Sequence, residues 1–224
     1  MAHYEIEIKS LLGAKDRADE VKAKMNELDP NCACVSTNKQ LNHYFKDGEV
    51  MELYKKTSQL FSEENQAKFL HIAEKGSSFS VRTRQRDEEV LLVVKASIDS
   101  GTSANTVSRL EFEEAVSITL DELDALVLES GFTYQAKWSR EREEYEYKGA
   151  NVCFDKNAGY GYLAEFEKIV ADESQLDGVR QEIEELMAEL GVVELPQDRL
   201  ERMFAHYNEN WPEYYGTEKT FNIE

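Results

Sequence analysis

Hydrophobic and polar positions alternate from the first residues of the chain. Every second residue is charged in the string Tyr4-Glu5-Ile6-Glu7-Ile8-Lys9. A two-residue period is typical of a β-strand with one apolar face and one polar face. The pattern therefore predicts a strand over residues 4–10, with Glu5, Glu7 and Lys9 on one face and the apolar side chains on the other.

The same charged alternation returns in four later segments of the chain. They are Arg82 and Arg84; Arg109, Glu111 and Glu113; Arg140 and Arg142; Glu165 and Glu167. Like charges two residues apart do not stabilise each other, and one such strand alone is typical of a solvated face. Repetition in five separate segments instead indicates a charged surface that binds a ligand, with the intervening apolar residues packed under helices.

Further alternating runs and turn signals predict the remaining elements. Strands are expected over residues 35–45, 78–86, 89–96, 107–116, 134–147, 152–155 and 162–170. Helices are expected over 14–28, over 119–128 behind the capping box of Thr119 and Glu122, from Ser174 to before Gly191, and over 198–207. The polar stretch 49–73 is predicted to be a surface helix or a lid, and 97–108 a flexible loop.

About eight antiparallel strands with interspersed helices predict an α+β protein. Because closure removes exposed strand edges, we expect a closed eight-stranded antiparallel β-barrel, or tunnel, with a charged lumen and helices packed on the outside. No linker or repeat divides the chain. The tunnel domain is predicted over residues 1–195, with a C-terminal helix and aromatic tail, 196–224, packing on the same domain.

Composition narrows the possible partners. The net charge of -19 argues against nucleic acid and against anionic membranes, so any phosphate site must be a local basic pocket. Three cysteines form no disulfide framework, and neither a signal peptide nor a membrane-length apolar run is recognisable. A cytoplasmic protein that binds a small molecule is predicted, as a monomer or a homodimer.

The charged positions supply two kinds of chemistry. Carboxylates suited to a hard divalent cation are Glu5, Glu7, Glu111, Glu113, Asp155, Glu165 and Glu167. Cations suited to phosphate oxygens are Lys9, Arg82, Arg84, Lys95, Arg109, Arg140 and Arg142. Other motifs are missing: there is no P-loop, no complete dinucleotide fingerprint and no histidine pair at metal spacing. His43 is interpreted as structural or as lining a rim.

Taken in order, these residues resemble the CYTH family, the triphosphate tunnel metalloenzymes. The resemblance rests on Glu5-x-Glu7-x-Lys9, Arg82-x-Arg84, Lys95, Arg109-x-Glu111-x-Glu113, Arg140-x-Arg142 followed by Tyr145, and Asp155-x-x-x-Gly159-x-Gly161-x-x-x-Glu165-x-Glu167. Arg140 stands where the family more often has lysine, and Leu163 where it usually has an aromatic residue. The segment 47–75 is longer than the family's usual connection, and the tail beyond Gly191 is unfamiliar.

The resemblance implies an eight-stranded tunnel that requires Mg²⁺ or Mn²⁺ and accepts a triphosphate. Members hydrolyse inorganic triphosphate, thiamine triphosphate or nucleoside triphosphates, and one branch cyclises ATP to cyclic AMP. The leading hypothesis is a metal-dependent triphosphatase in which the seven cations bind the phosphates and the seven carboxylates hold metal. A class IV adenylate cyclase and a non-catalytic module that binds polyphosphate or nucleotide are the alternatives.

Overall fold

The computed structural model describes residues 4–97, 109–170 and 173–224, and of Tyr4, Glu5, Arg109 and Glu173 it describes the backbone alone. The strands are β1 Tyr4–Gly13, β2 Ala33–Lys46, β3 Ser77–Arg86, β4 Glu89–Ser97, β5 Arg109–Val116, β6 Thr133–Tyr147, β7 Ala150–Asn157 and β8 Gly161–Val170. The helices are α1 Lys15–Leu28, α2 Val50–Thr57, α3 Glu63–Lys75, α4 Leu120–Glu129, α5 Leu176–Leu190 and α6 Gln197–Tyr214. The loop predicted over 97–108 lies almost wholly outside the described residues.

The eight strands form one antiparallel sheet, so the predicted α+β class and strand count are confirmed. The strand order is β1-β8-β7-β6-β2-β3-β4-β5. Within the described ranges no hydrogen-bonded ladder joins β1 to β5, so the sheet is not closed by hydrogen bonds as a strict barrel would be. None of the helices in the described part of the chain has the length and apolar character needed to span a bilayer.

The chain divides into two compact units, the first made of residues 1–39 and 139–224. In this unit the apolar residues of β1, β6, β7 and β8 pack against α1 and α5. Ile8 and Phe166 are buried on the sheet, and Val21 and Ile183 meet them from the two helices. The alternation of β1 and β8 therefore places one face in the core and leaves the other to the charged residues.

The second unit comprises residues 40–138 and has its own core beneath α2, α3 and α4. Phe69 of α3 stacks on Phe112 of β5 with ring centroids 4.7 Å apart, and Leu53 of α2 is fully buried. The helical prediction for residues 49–73 is therefore confirmed. The lid prediction is wrong, because Leu53, Phe61 and Phe69 bury these helices against the apolar face of the sheet.

The C-terminal helix is longer than the predicted 198–207 and runs to Tyr214. Met203 and Tyr207 are buried, and the helical spacing of apolar residues continues past the polar Asn208–Asn210 segment. The tail then packs on the turn between β7 and β8 of the same unit: the Gly159 N–H donates to the Lys219 carbonyl, and the Phe221 N–H donates to the Gly159 carbonyl, each at 2.8 Å. Phe221 packs edge-on against Tyr160.

Candidate functional site

In the first unit, four neighbouring strands bring charged residues onto one face. Lys9 of β1 lies opposite Glu165 of β8, and Glu7 lies opposite Glu167. Arg142 of β6 lies opposite Asp155 of β7. Because register fixes which residues share a face, the charged strings of separate strands form a single surface. We call this group the Arg142 cluster; it comprises Glu7, Lys9, Arg140, Arg142, Asp155, Glu165 and Glu167.

Arg142 is the centre of this cluster. Its Nε donates to Asp155 Oδ1 at 2.7 Å, and its Nη2 donates to Asp155 Oδ2 at 2.6 Å and to Glu165 Oε2 at 2.5 Å. Arg140 Nη1 also donates to Asp155 Oδ2, at 2.7 Å. Asp155 is only 1% exposed, so two guanidinium groups compensate the cost of burying its charge.

These contacts favour the charged forms. Burial opposes the charge on Arg142, but hydrogen bonds and attraction from Asp155, together with the charge of Glu165, outweigh burial and raise its pKa. Burial also opposes the charge on Glu165, yet the positive charges of Lys9, Arg142 and Arg140 hold the pKa of this carboxyl well below its ordinary value. Both groups are therefore ionised at neutral pH.

Lys9 connects the edge of the cluster to its centre. Its ammonium pairs with Glu7, two residues away on the same strand face, and lies 3.4 Å from Glu165 Oε1. Glu167 stands opposite Glu7 on one side and Asn151 on the other. The backbone of Glu5 continues β1 opposite Ile169, and the structure gives no side-chain position for it.

The turn between β7 and β8 depends on the glycines of the recognised motif. Gly161 has φ +74°, and a Cβ there would lie 2.3 Å from the Gly13 carbonyl oxygen. Gly159 has φ +89°, and a Cβ there would lie 2.7 Å from the Tyr207 ring. Any side chain would therefore move the turn that sets the register of Asp155 and Glu165.

The second unit carries its own charged face, which we call the Arg84 cluster: Asn42, Arg82, Arg84, Lys95, Glu111 and Glu113. Arg84 Nη1 donates to both Glu113 oxygens at 3.0 and 3.1 Å, and its Nε donates to Asn42 Oδ1 at 2.8 Å. Lys95 lies opposite Glu111 and pairs with it at 3.1 Å. Arg109 of β5 lies opposite Ser97 of β4, and the structure describes the backbone of Arg109 alone.

Arg82 differs from its neighbours in having no acidic partner. No Asp or Glu oxygen in the described parts of the chain lies within ion-pair distance of its guanidinium. Its Nη1 donates to the Tyr44 hydroxyl at 3.0 Å, its guanidinium carbon lies 4.7 Å from the Tyr44 ring centroid, and its Nε is buried without a hydrogen-bond acceptor. Among the cations whose side chains the structure describes in the two clusters, Arg82 is therefore the one most ready to accept an anion.

Buried amides that the charge pattern did not predict lie beside these charged residues. Gln40 and Asn42 are buried on the same face of β2, and Asn42 Nδ2 donates to Gln40 Oε1 at 3.4 Å. Asn42 also fixes Arg84, which gives it a positioning role. The signal was present, because amides recur at every second residue in Asn38-x-Gln40-x-Asn42.

His43 belongs to a different, helix-facing network. Asp124 of α4 lies 2.7 Å from His43 Nδ1, and it accepts hydrogen bonds from Thr83 Oγ1 and the Tyr134 hydroxyl, each at 2.6 Å. His43, Thr83 and Asp124 are all buried. His43 is therefore a structural residue and does not line a rim.

The donors fit a divalent cation in type but do not enclose one by themselves. Across the described residues, no three Asp, Glu, His or Cys side chains lie close enough to hold a metal ion. Asp155 and Glu165 nevertheless aim one oxygen each at the same positive nitrogen, Arg142 Nη2, at 2.6 and 2.5 Å. Two carboxylates that converge on one positive centre, with Glu7 and Glu167 on the adjoining positions, are a chemically suitable set for Mg²⁺ or Mn²⁺.

Comparison with solved structures identifies similar folds. A conserved hypothetical protein from Pyrococcus furiosus is 17% identical, with 87% of this chain and 93% of that chain covered and a TM-score of 0.58. The PH1819 protein of Pyrococcus horikoshii is 21% identical, with 87% and 94% covered and a TM-score of 0.56. A candidate adenylate cyclase from Vibrio parahaemolyticus is 14% identical, with 92% and 99% covered and a TM-score of 0.58. At these identities the likeness establishes the fold.

Comparison of the sequence itself gives the family. No curated protein matches this chain. The model of the CYTH domain matches residues 3–199, which include every charged position of both clusters. This span is most of the 224 residues and agrees with the order of motifs from Glu5 to Glu167. The chain therefore belongs to the CYTH family.

Proposed function

We propose that this protein is a divalent-metal-dependent phosphohydrolase that acts on a triphosphate. The observation that carries the proposal is the Arg142 cluster, in which one guanidinium holds two carboxylates in place on the charged face of a CYTH domain. The positive and negative side chains of this network neutralise each other. A metal–triphosphate complex offers phosphate oxygens to the cations and a metal ion to the carboxylates. The cations can exchange carboxylates for phosphate oxygens while the carboxylates exchange cations for metal.

The proposed roles follow from charge and from the contacts within each cluster. Phosphate binding is assigned to Lys9, Arg140 and Arg142 of the first unit and to Arg82, Arg84, Lys95 and Arg109 of the second. Metal binding is assigned to Glu5, Glu7, Asp155, Glu165 and Glu167, with Glu111 and Glu113 as further carboxylates of the second unit. When bound, the divalent cation would neutralise phosphate charge and lower the pKa of a water molecule.

The chain itself contributes positioning and electrostatic stabilisation. Phosphoryl transfer needs little covalent help from the protein, since charge spreads over phosphate oxygens and must be neutralised there. Asp155, Glu113 and Asn42 already order these guanidinium groups on the charged face before a substrate binds, so exchanging a carboxylate for a phosphate oxygen costs little further orientational freedom. No side-chain nucleophile is required by this scheme.

Cyclisation of ATP is the second candidate, and the fold shared with the candidate adenylate cyclase from Vibrio parahaemolyticus favours considering it. The same charged residues could serve an attack by a ribose hydroxyl on the α-phosphate. A binding module without catalysis is disfavoured by the carboxylates, which an anion-binding protein does not need.

We also propose a reducing, cytoplasmic setting, in keeping with the free Cys32, Cys34 and Cys153.

The test is a substrate panel of inorganic triphosphate, ATP and thiamine triphosphate with Mg²⁺ or Mn²⁺, followed by product analysis. We expect release of phosphate that stops with EDTA and falls at least about 100-fold in Glu7→Ala and Glu165→Gln. Glu201→Ala on the exposed surface of α6 is the matched control and should retain full activity. Cyclic AMP and pyrophosphate as products would replace the hydrolase with a cyclase, and full turnover in both variants would refute the metal-binding roles.

A further inference from the structure

Two aromatic residues lie on the charged face of the second unit, which also carries amides and the apolar Leu91 and Val93 opposite Arg84 and Arg82. Tyr44 of β2 lies opposite Arg82 of β3, and its ring meets that of Trp138 edge-on, with centroids 6.4 Å apart and an interplanar angle of 64°. Both side chains are partly exposed. The core of this unit lies on the other face of the sheet, where Phe45 stacks on Tyr134. Packing of the core therefore does not account for Tyr44 and Trp138.

Tyr44 lies directly beside the Arg82 guanidinium, and Trp138 lies against Tyr44 on the same face. The Arg82 guanidinium covers one part of the Tyr44 ring at 4.7 Å and donates to its hydroxyl at 3.0 Å. A phosphate oxygen held by Arg82 would thus place the rest of its molecule next to Tyr44 and Trp138. Aromatic side chains bind planar rings by stacking, and every nucleobase has a π-face to offer.

We infer that Tyr44 and Trp138 form a binding site for a planar ring esterified to the triphosphate, so that the substrate is an organic triphosphate, with nucleoside triphosphates as the first class to test. This inference rests on the proposed function and specifies its substrate class. Inorganic triphosphate would occupy the cations and place no planar ring against Tyr44 and Trp138. The rings would then set specificity, while the charged residues serve all triphosphates equally.

The two tryptophans of the chain make a direct binding test possible. In a Trp211→Phe background, Trp138 is the sole indole and reports on its own surroundings. We would titrate this protein with Mg²⁺ and the β,γ-imido analogue of ATP, and separately with inorganic imidotriphosphate, and measure emission and heat of binding in parallel. We expect a saturable change in emission with the ATP analogue and none with imidotriphosphate. Equal responses to both anions, or a silent Trp138 when the ATP analogue binds, would overturn the inference.

Kinetics supply a second, independent readout. Trp138→Leu and Tyr44→Leu should each lower kcat/KM for ATP or thiamine triphosphate by about tenfold and leave inorganic triphosphate unchanged. Trp138→Phe and Tyr44→Phe keep a ring and should restore most of the loss, whereas Trp211→Leu on α6 should change neither substrate. Equal losses on every substrate would indicate a purely structural role and overturn the inference.

These results separate the two proposals. A Trp138 response to the ATP analogue without phosphate release from any triphosphate would support the ring site and refute the hydrolase. Phosphate release from ATP with no contribution from either ring would refute the ring site and support the hydrolase.

Discussion

Arg142 and Asp155 form a two-point ion pair, in which Nε donates to Oδ1 at 2.7 Å and Nη2 donates to Oδ2 at 2.6 Å. The planar guanidinium matches the carboxylate, so both hydrogen bonds form with the side chains in one arrangement. The pair lies on adjacent strands at directly opposed positions. A change in the register between β6 and β7 would therefore break this ion pair and alter the distribution of charge on the charged face.

Removal of Arg142 should destabilise the protein strongly. Arg142→Met leaves the buried Asp155 with Arg140 as its one remaining cationic partner among the described residues, and it removes one of the cations that contact Glu165. We expect the free energy of unfolding to fall by about 3 kcal/mol, measured by urea denaturation at pH 7. Arg142→Lys keeps a positive charge without the two-point geometry and should lose about half as much. Equal stability of Arg142→Met and the wild type would show that the pair is not structural.

Stability should depend on acid through Glu165. The pKa of this carboxyl is lowered in the folded protein by Lys9, Arg142 and Arg140, which outweigh its burial. A lowered folded-state pKa gives stabilisation that is present above the ordinary value of 4.5 and is lost as the pH falls below it. The wild type should therefore lose about 2 kcal/mol more than Glu165→Gln between pH 6 and pH 3, measured by denaturation at each pH. Parallel pH profiles would contradict the assignment.

Arg82 and Arg84 should behave differently although they are two residues apart. Arg82→Ala breaks no ion pair among the described residues. The loss of its hydrogen bond and cation–π contact with Tyr44 is offset by the removal of a buried nitrogen without an acceptor, so stability should change by less than about 0.5 kcal/mol. The kcat/KM of the Arg82→Ala variant should fall by at least about tenfold, since a charged hydrogen bond to phosphate is lost. Arg84→Ala leaves Glu113 and Asn42 without this partner and should lower stability by about 2 kcal/mol in addition to activity. Thermal unfolding and steady-state kinetics on both variants test the contrast.

The network around Asp124 should affect folding and not substrate binding. Asp124→Ala leaves buried donors on His43, Thr83 and Tyr134 without this acceptor. We expect a loss of about 3 kcal/mol in the free energy of unfolding, against about 1 kcal/mol for Thr83→Val, which removes one donor together with its need for a partner. At a temperature where Asp124→Ala is folded, its KM should equal that of the wild type. A raised KM would place the network in the binding site.

The strands and helices were largely predictable because their signals are local. The alternation in residues 4–9 and the capping box of Thr119 and Glu122 both appear in the structure as expected. The segment 49–73 was predictable as helix and not as a core layer. The reason is that the polar residues dominate its sequence, whereas only the partners of Leu53, Phe61 and Phe69 on the sheet reveal which face is buried.

The two-residue alternation of side chains is interrupted in β6, and this interruption was not predictable from the sequence. Tyr134 and Lys137, three residues apart, both approach Asp124, although strict alternation would place them on opposite faces. The shift leaves Trp138 beside Tyr44 on the charged face. Nothing in the sequence of β6 marks this irregularity, because it depends on what the strand packs against.

The sequence by itself determined which residues carry charge, their two-residue period, and the order of motifs that the CYTH domain shares. Only the tertiary structure decided the partners: Arg142 between Asp155 and Glu165, Arg84 fixed by Glu113 and Asn42, and Arg82 against Tyr44. Period and charge are properties of one strand and follow from backbone geometry. Pairing depends on register between strands that are far apart in the chain, and that register is set by turns such as Gly161 and by the cores beneath the sheet.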